Sequence, residues 1–126
     1  VIKRKVLSFA AALISSTVFT SFATAQENAA QGSAAVLRAL DKVSGRVTDL
    51  ELPIGASAPV LGLLVTLGDC RYPADNPTGN AYAYLDIRDP QDGIRYFEGW
   101  MIATSPALNA LDHNRYDIWV LRCRTS

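Results

Sequence analysis

Residues 81–88 read Ala-Tyr-Ala-Tyr-Leu-Asp-Ile-Arg. Ala81, Ala83, Leu85 and Ile87 alternate with Tyr82, Tyr84, Asp86 and Arg88. A period of two belongs to a strand, whose successive side chains point to opposite faces of a sheet. The segment is therefore expected to bury its small and aliphatic row and to turn its tyrosines and charges outward. Asp89-Pro90-Gln91-Asp92-Gly93 follows, with Pro to set φ, Asp to cap and Gly to accept a positive φ. It should join this strand in a hairpin to Ile94–Ala103 (IRYFEGWMIA), a second strand rich in aromatics. Within that second strand Trp100, beside Met101 and Ile102, is read as core.

The same period extends outward. Leu61–Leu67 (LGLLVTL) places Leu61, Leu63, Val65 and Leu67 on one face, and Gly45–Leu52 (GRVTDLEL) opposes Leu50 and Leu52 to Asp49 and Glu51. Val36–Leu40 is a further candidate strand. Tyr116–Cys123 (YDIWVLRC) alternates but is apolar on both sides at its centre, so Trp119 is also read as core. Tyr72–Asn80 carries two prolines, which bar ladder pairing, and reads as the longest loop. Ser105-Pro106-Ala107-Leu108 has a helix N-cap followed by Pro at the first helical position, so one or two helical turns are expected through His113. The fold class expected is all-β: a small antiparallel sandwich or barrel of about six or more strands, with one short helical turn and one disulfide.

The chain has 126 residues, enough for one domain, with 12 Lys+Arg, 12 Asp+Glu, one His and two Cys. The formal balance of zero conceals an asymmetry, since Lys3, Arg4 and Lys5 open the chain and no acid precedes Glu27. They are followed by an uncharged stretch, Val6–Phe22, and by the small residues Ala23-Thr24-Ala25. That order is the order of a secretory signal peptide, with Sec-type cleavage expected between Ala25 and Gln26. Residues 26–35 (QENAAQGSAA) carry no bulky apolar side chain and are expected to form a flexible leader, with one β domain over 36–126. Beyond Ala25 nine bases face twelve acids, a net charge of −3. A mildly acidic domain lacks the clustered cations that neutralise phosphates, so nucleic acid is not an expected partner. No later stretch is long and apolar enough to span a membrane.

Cys70 and Cys123 lie in different strand segments, 53 positions apart. Redox motifs place their cysteines close together and zinc sites want four ligands, so an exported chain with this pair is expected to form one structural disulfide. His113 is the only histidine. A hydrolase would use it with Ser105 or a carboxylate, but no Gly-x-Ser-x-Gly elbow surrounds Ser105. The reading preferred is that a protonated His113 caps the short helix and bonds nearby backbone. Asp49 with Glu51, and Asp89 with Asp92, read as solvated surface rather than paired acid and base. The arginines are expected to form cross-strand ion pairs on solvated faces. Asp89–Gly93 lacks a calcium loop's ligand series, and Gly62, Gly68 and Gly79 stand too far apart for a phosphate-binding loop. No cofactor, metal or catalytic residue is expected.

Gly99–Trp119 (GWMIATSPALNALDHNRYDIW), Leu40–Val47 and Leu67–Arg71 together resemble the domain-of-unknown-function 2155 family of alphaproteobacterial exported proteins. Where that family has Pro after the His, this chain has Asn114. The resemblance implies export to a Gram-negative envelope and supplies no activity or site residue. The expected function is a non-catalytic binding, scaffold or inhibitor module in the periplasm or secreted, whose partner is an envelope protein or a cell-wall component. The alternatives are a small envelope hydrolase using His113 and a glycan-binding module. The surface expected to meet a partner is the corner holding Leu108, Leu111, His113, Arg115 and Tyr116, with Tyr82 and Tyr84 second. An apolar connection that stays exposed marks an interface, whereas the same connection turned inward is a lid on the core.

Overall fold

The computed structural model describes residues 12–14, 18 and 28–125, so the expected signal peptide lies almost wholly outside the described residues. Among the described residues there are eight strands: β1 (Ala29–Gln31), β2 (Ala34–Asp41), β3 (Val47–Pro53), β4 (Ser57–Val60), β5 (Leu63–Pro73), β6 (Tyr82–Arg88), β7 (Arg95–Ile102) and β8 (Tyr116–Arg124). All pairings are antiparallel. One sheet runs β1-β5-β6-β7, with β4 also on β5; the other runs β3-β2-β8. The long β5 pairs with β6 over Leu64–Arg71, while β4 takes Leu63–Thr66 and β1 takes Arg71–Pro73. The inner faces meet in one core that includes Leu37, Leu63, Leu67, Leu85, Ile87 and Ile118.

The β6 alternation is realised residue for residue. Ala83, Leu85 and Ile87 are fully buried, whereas Tyr82, Tyr84, Asp86 and Arg88 are half-buried on the outer face. The β6–β7 hairpin closes as its turn chemistry requires: Asp89 Oδ1 accepts the N–H of Gln91 at 2.8 Å and of Asp92 at 3.2 Å, and Gly93 N–H returns to the Asp89 carbonyl.

Cys70 and Cys123 form the disulfide, with Cα atoms 5.9 Å apart, and bolt β5 of one sheet to β8 of the other. Strict alternation would have pointed both cysteines away from the core. Leu63, Val65 and Leu67 face inward, so position 70 has the wrong parity; a bulge between Leu67 and Asp69 restores it. In β8, Ile118 and Val120 face inward, and a register shift against Val36/Leu37 brings Cys123 in three positions later. Each extra residue flips everything after it to the opposite face. Gly68 makes the first bulge possible, because a Cβ there would stand 2.9 Å from the Tyr84 ring.

Four expectations are corrected. The stretch expected to be a flexible leader carries β1 and the first two residues of β2 in its described part, and Ala34 and Ala35 are buried. Small residues are what this place needs. The chain crosses between sheets at Gly32, whose N–H bonds Cys70 O while Ser33 N–H bonds Arg124 O, and a Cβ on Gly32 would lie 2.6 Å from Arg124 O. The expected helical turn does not form: residues 105–113 make one Leu108 N–H to Ser105 C=O turn and then straighten. Leu108 and Leu111 do not share a face, since Leu111 is buried and Leu108 is 74% exposed. Trp100 is 41% exposed rather than core. It is adjacent to Met101, and in a strand only one of two neighbours faces inward; Met101 takes that place. Trp119 is likewise only half-buried, on the side of β8 away from the disulfide core.

Candidate functional site

The expected partner residues divide between two regions and the interior. Tyr82 and Tyr84 stand on the outer face of the β5–β6–β7 sheet. His113, Arg115 and Tyr116 stand at one corner of the sandwich. Leu108 projects from the connection over 103–115, and Leu111 plugs the core.

The corner is built around a residue that sequence reasoning passed over. Asp41 ends β2, is 6% exposed, and caps the β2–β3 turn: its Oδ1 accepts the N–H of Val43 at 2.9 Å and of Ser44 at 3.3 Å. Arg115 reaches it from the far connection, Nη2 to Oδ2 at 3.1 Å. The Arg115 hydrogen bonds lower the Asp41 pKa to about 2, against the opposing effect of burial and with help from the two turn amides. Lys42 adds two further ties, N–H to the Arg115 carbonyl at 2.8 Å and Nζ to the His113 carbonyl. The signal was present in Asp41-Lys42-Val43-Ser44-Gly45, a side-chain-capped turn ending in Gly.

His113 does not cap a helix. Its Nδ1 accepts the N–H of Arg115 at 3.0 Å and of Tyr116 at 3.1 Å, which requires an unprotonated Nδ1. The ring stacks on Tyr116 at 5.2 Å and meets Tyr96 in a T-shaped contact at 4.7 Å. A Ser-His-Asp arrangement needs Nδ1–H donated to a carboxylate. Here that nitrogen is an acceptor, so the orienting bond to Asp112 or Asp117 is not made. Tyr116 in turn lies over the β4–β5 turn, its hydroxyl 2.7 Å from where a Gly62 Cβ would be. Asp41, the Lys42 ammonium, His113 Nδ1 and Arg115 Nε and Nη2 thus hold two connections together.

The outer sheet face differs. Tyr84 is directly opposite Trp100 in the β6–β7 register, and their rings meet edge to face at 5.4 Å. Tyr82 is opposite Arg71 on the other side. Polar groups frame these rings and are already bonded to one another. Tyr84 O–H donates to Glu98 at 3.0 Å, a bond that raises the Tyr84 pKa. Glu98 also receives Arg95, which bridges to Asp86, itself paired with Arg88. The Arg88 hydrogen bonds are the main cause of the lowered Asp86 pKa. On the near side Asp69 accepts Arg71 Nε at 2.8 Å, Gln31 Nε2 at 3.0 Å and the Cys70 N–H at 2.8 Å. Partial burial pushes the Asp69 pKa up, but these donors outweigh it and the net shift is downward.

A groove of about 370 Å³ opens on this face, bordered by Asn28, Ala29, Arg71, Pro73, Tyr82 and Trp100. A second, of about 380 Å³, runs between the connection (Pro106, Ala107, Ala110) and β8 (Asp117, Ile118, Trp119). Among the described residues no cluster of three His, Cys, Asp or Glu side chains is placed to hold a metal ion. Two further carboxylates form solvated pairs, Asp49 with Arg38 and Glu51 with Arg124 across β2, and Asp89 and Asp92 accept amides of the β6–β7 turn.

Fold and surface together define a small two-sheet β-sandwich, bolted across its sheets by one disulfide and carrying an aromatic groove on one outer face. The chain belongs to the family described as "Uncharacterized protein conserved in bacteria (DUF2155)", whose model matches residues 35–123. No curated protein and no solved structure matches it. A structural disulfide suits an oxidising compartment, and no helix among the described residues is long and apolar enough to cross a membrane. Both are compatible with a place outside the cytoplasm.

Proposed function

We propose that this protein is an exported, non-catalytic binding module of the bacterial cell envelope that holds its ligand on the aromatic outer face of the β5–β6–β7 sheet. The Lys3-Arg4-Lys5 start, the uncharged stretch after it and Ala23-Thr24-Ala25 support export with cleavage before Gln26. One observation carries the choice of face. Trp100 is 41% exposed beside a groove, although it is large and apolar and its neighbours Tyr82 and Tyr84 stand with it. Exposed aromatic groups set among ordered polar side chains are the composition of a recognition surface.

The corner is the weaker candidate. Leu111 is spent on the core, and Asp41, Lys42, His113 and Arg115 are spent on each other. Replacing them should loosen the fold before it touches a ligand.

The test is capture from the native envelope. The full chain, tagged at its C-terminus, is produced in the bacterium and crosslinked in the envelope fraction, beside a Tyr82→Ser/Trp100→Ser form whose disulfide and circular dichroism match the parent. An envelope component captured by the parent and lost with the double variant is the expected result. Equal capture by both rejects this face.

A further inference from the structure

We propose that the groove on the aromatic face is a saccharide subsite for a pyranose bearing an acetamido group, with the sugar ring against Trp100 and Tyr82 and the acetamido methyl against Ala29 and Pro73. The inference rests on the reading of this face as the binding surface and names its ligand class.

Size is the first constraint. A volume of about 370 Å³ is at the lower end of small-ligand clefts, about 300–1,000 Å³. It suits a short run of sugar rings better than a protein surface. The walls are the second. Tyr82 and Trp100 give an aromatic side on which the C–H face of a pyranose packs. Ala29 and Pro73, opposite one another in the β1–β5 pairing, give a small apolar end. The Ala29 and Pro73 side chains offer a hydroxyl no partner and a methyl a good fit, with the Asn28 amide at their border.

The third constraint is the supply of donors and acceptors. Arg71 spends Nε on Asp69, and among the described residues neither of its Nη groups has a hydrogen bond. Tyr82 Oη accepts Asn80 Nδ2 at 3.1 Å, which leaves its own proton to donate. The carboxylates nearby are taken: Asp69 by Arg71 and Gln31, Glu98 by Tyr84 and Arg95. Among the described residues, a cationic ligand therefore meets no free carboxylate at this groove. A ligand rich in acceptor oxygens meets unspent donors beside an aromatic wall, and an acetamido carbonyl within reach of Arg71 meets that need. Because the framing side chains already hold each other, few rotamers remain to be frozen on binding.

The test is a titration of the full, oxidised chain, ¹⁵N-labelled, with the trimer of N-acetylglucosamine and separately with the trimer of glucose. The indole N–H signals of Trp100 and Trp119 are followed. The N-acetylated trimer should shift Trp100 saturably and leave Trp119 in place, and the glucose trimer should bind at least about tenfold more weakly, near 1.4 kcal/mol. Trp100→Ala, followed at the backbone amides of β6 and β7, should weaken binding by about tenfold. Tyr82→Phe, which removes only a hydroxyl, should weaken it several-fold with an unchanged Trp119 signal as proof of folding. An unmoved Trp100, equal binding of the two trimers, or a shift at Trp119 instead overturns the assignment. If Trp100-dependent capture from envelopes persists while the N-acetylated trimer leaves Trp100 unmoved, the sugar is wrong and the face is right. If both fail, the face itself is wrong.

Discussion

Breaking the Cys70–Cys123 bond should cost this fold as much as truncating a large core side chain. The bridge closes a chain separation of 53 residues and joins strands of opposite sheets, which otherwise meet through core packing and the backbone hydrogen bonds of the Gly32 crossover. In the chain-entropy model, a loop of that length removes about 14 cal/mol/K from the unfolded ensemble, or about 4 kcal/mol at 25 °C. A folded unit of this size unfolds with roughly 0.2 kcal/mol/K of entropy, taking about 2.1 cal/mol/K per residue. Reduction should therefore lower Tm by roughly 20 °C. The assay is thermal unfolding by circular dichroism of the same protein, oxidised and reduced, which keeps both sulfur atoms in the core. A Cys70→Ala/Cys123→Ala form should fall at or below the reduced one, since it also loses buried volume. A fall of only a few degrees would refute the reasoning: it would mean that the bridge is not made, or that the sheets hold together without it.

Three further outcomes follow from the packing and charges. Leu111→Ala should cost about 2–5 kcal/mol in urea unfolding and Leu108→Ala less than about 0.5 kcal/mol, although both sit in one connection; comparable losses would contradict the inward plug. Gly68→Val should push on Tyr84, destabilise by about 1–3 kcal/mol and move the Trp100 indole signal, because the new Cβ falls 2.9 Å from the Tyr84 ring; an unchanged indole would mean that the bulge lies elsewhere. Asp41, with its pKa lowered from 3.8 to about 2, adds stability that is complete above about pH 4 and fades as pH falls through 2. Asp41→Asn should therefore lower Tm at pH 7 and flatten its decline in acid, as a series of melts from pH 7 to pH 2 would reveal; a parallel decline in both proteins would contradict the Arg115 clamp.

Where side-chain period alone decides, the fold was legible. Ala81–Arg88 alternates without a break, and β6 is central in its sheet with its inner row fully buried. The same logic failed at β1 and β4 for a physical reason. Ala29–Gln31 has no apolar row of its own and is ordered by pairing with Arg71–Pro73, and Ser57–Val60 carries a proline on an edge. Bulges were invisible too, because the two extra residues that turn Cys70 and Cys123 inward look like lapses of alternation. Ser105-Pro106 has the start of a helix, but Leu111 is drawn into the core and Asn109 binds the Trp100 carbonyl at 2.9 Å, so tertiary contacts straighten the chain. For the candidate site, Tyr82 and Tyr84 were readable on an outer face. Trp100 was not, since its place opposite Tyr84 depends on a register that sequence does not state. The arginines were expected to pair across strands: Arg38, Arg95 and Arg124 do, Arg71 and Arg88 pair within their own strands, and Arg122 has no ion pair among the described residues. The pairing of Arg115 with Asp41 joins segments 74 positions apart and could not be foreseen.

The binding claim is tested most directly by photocrosslinking in living cells from single positions. A benzophenone amino acid is placed in turn at Tyr82, at Thr48 on the edge strand β3, and at Leu108 in the exposed connection. An adduct with an envelope component that forms on irradiation from position 82, and not from 48 or 108, is the outcome expected of an aromatic binding face. Adducts from position 108 or 48 with none from 82 would place the ligand on another surface and contradict it.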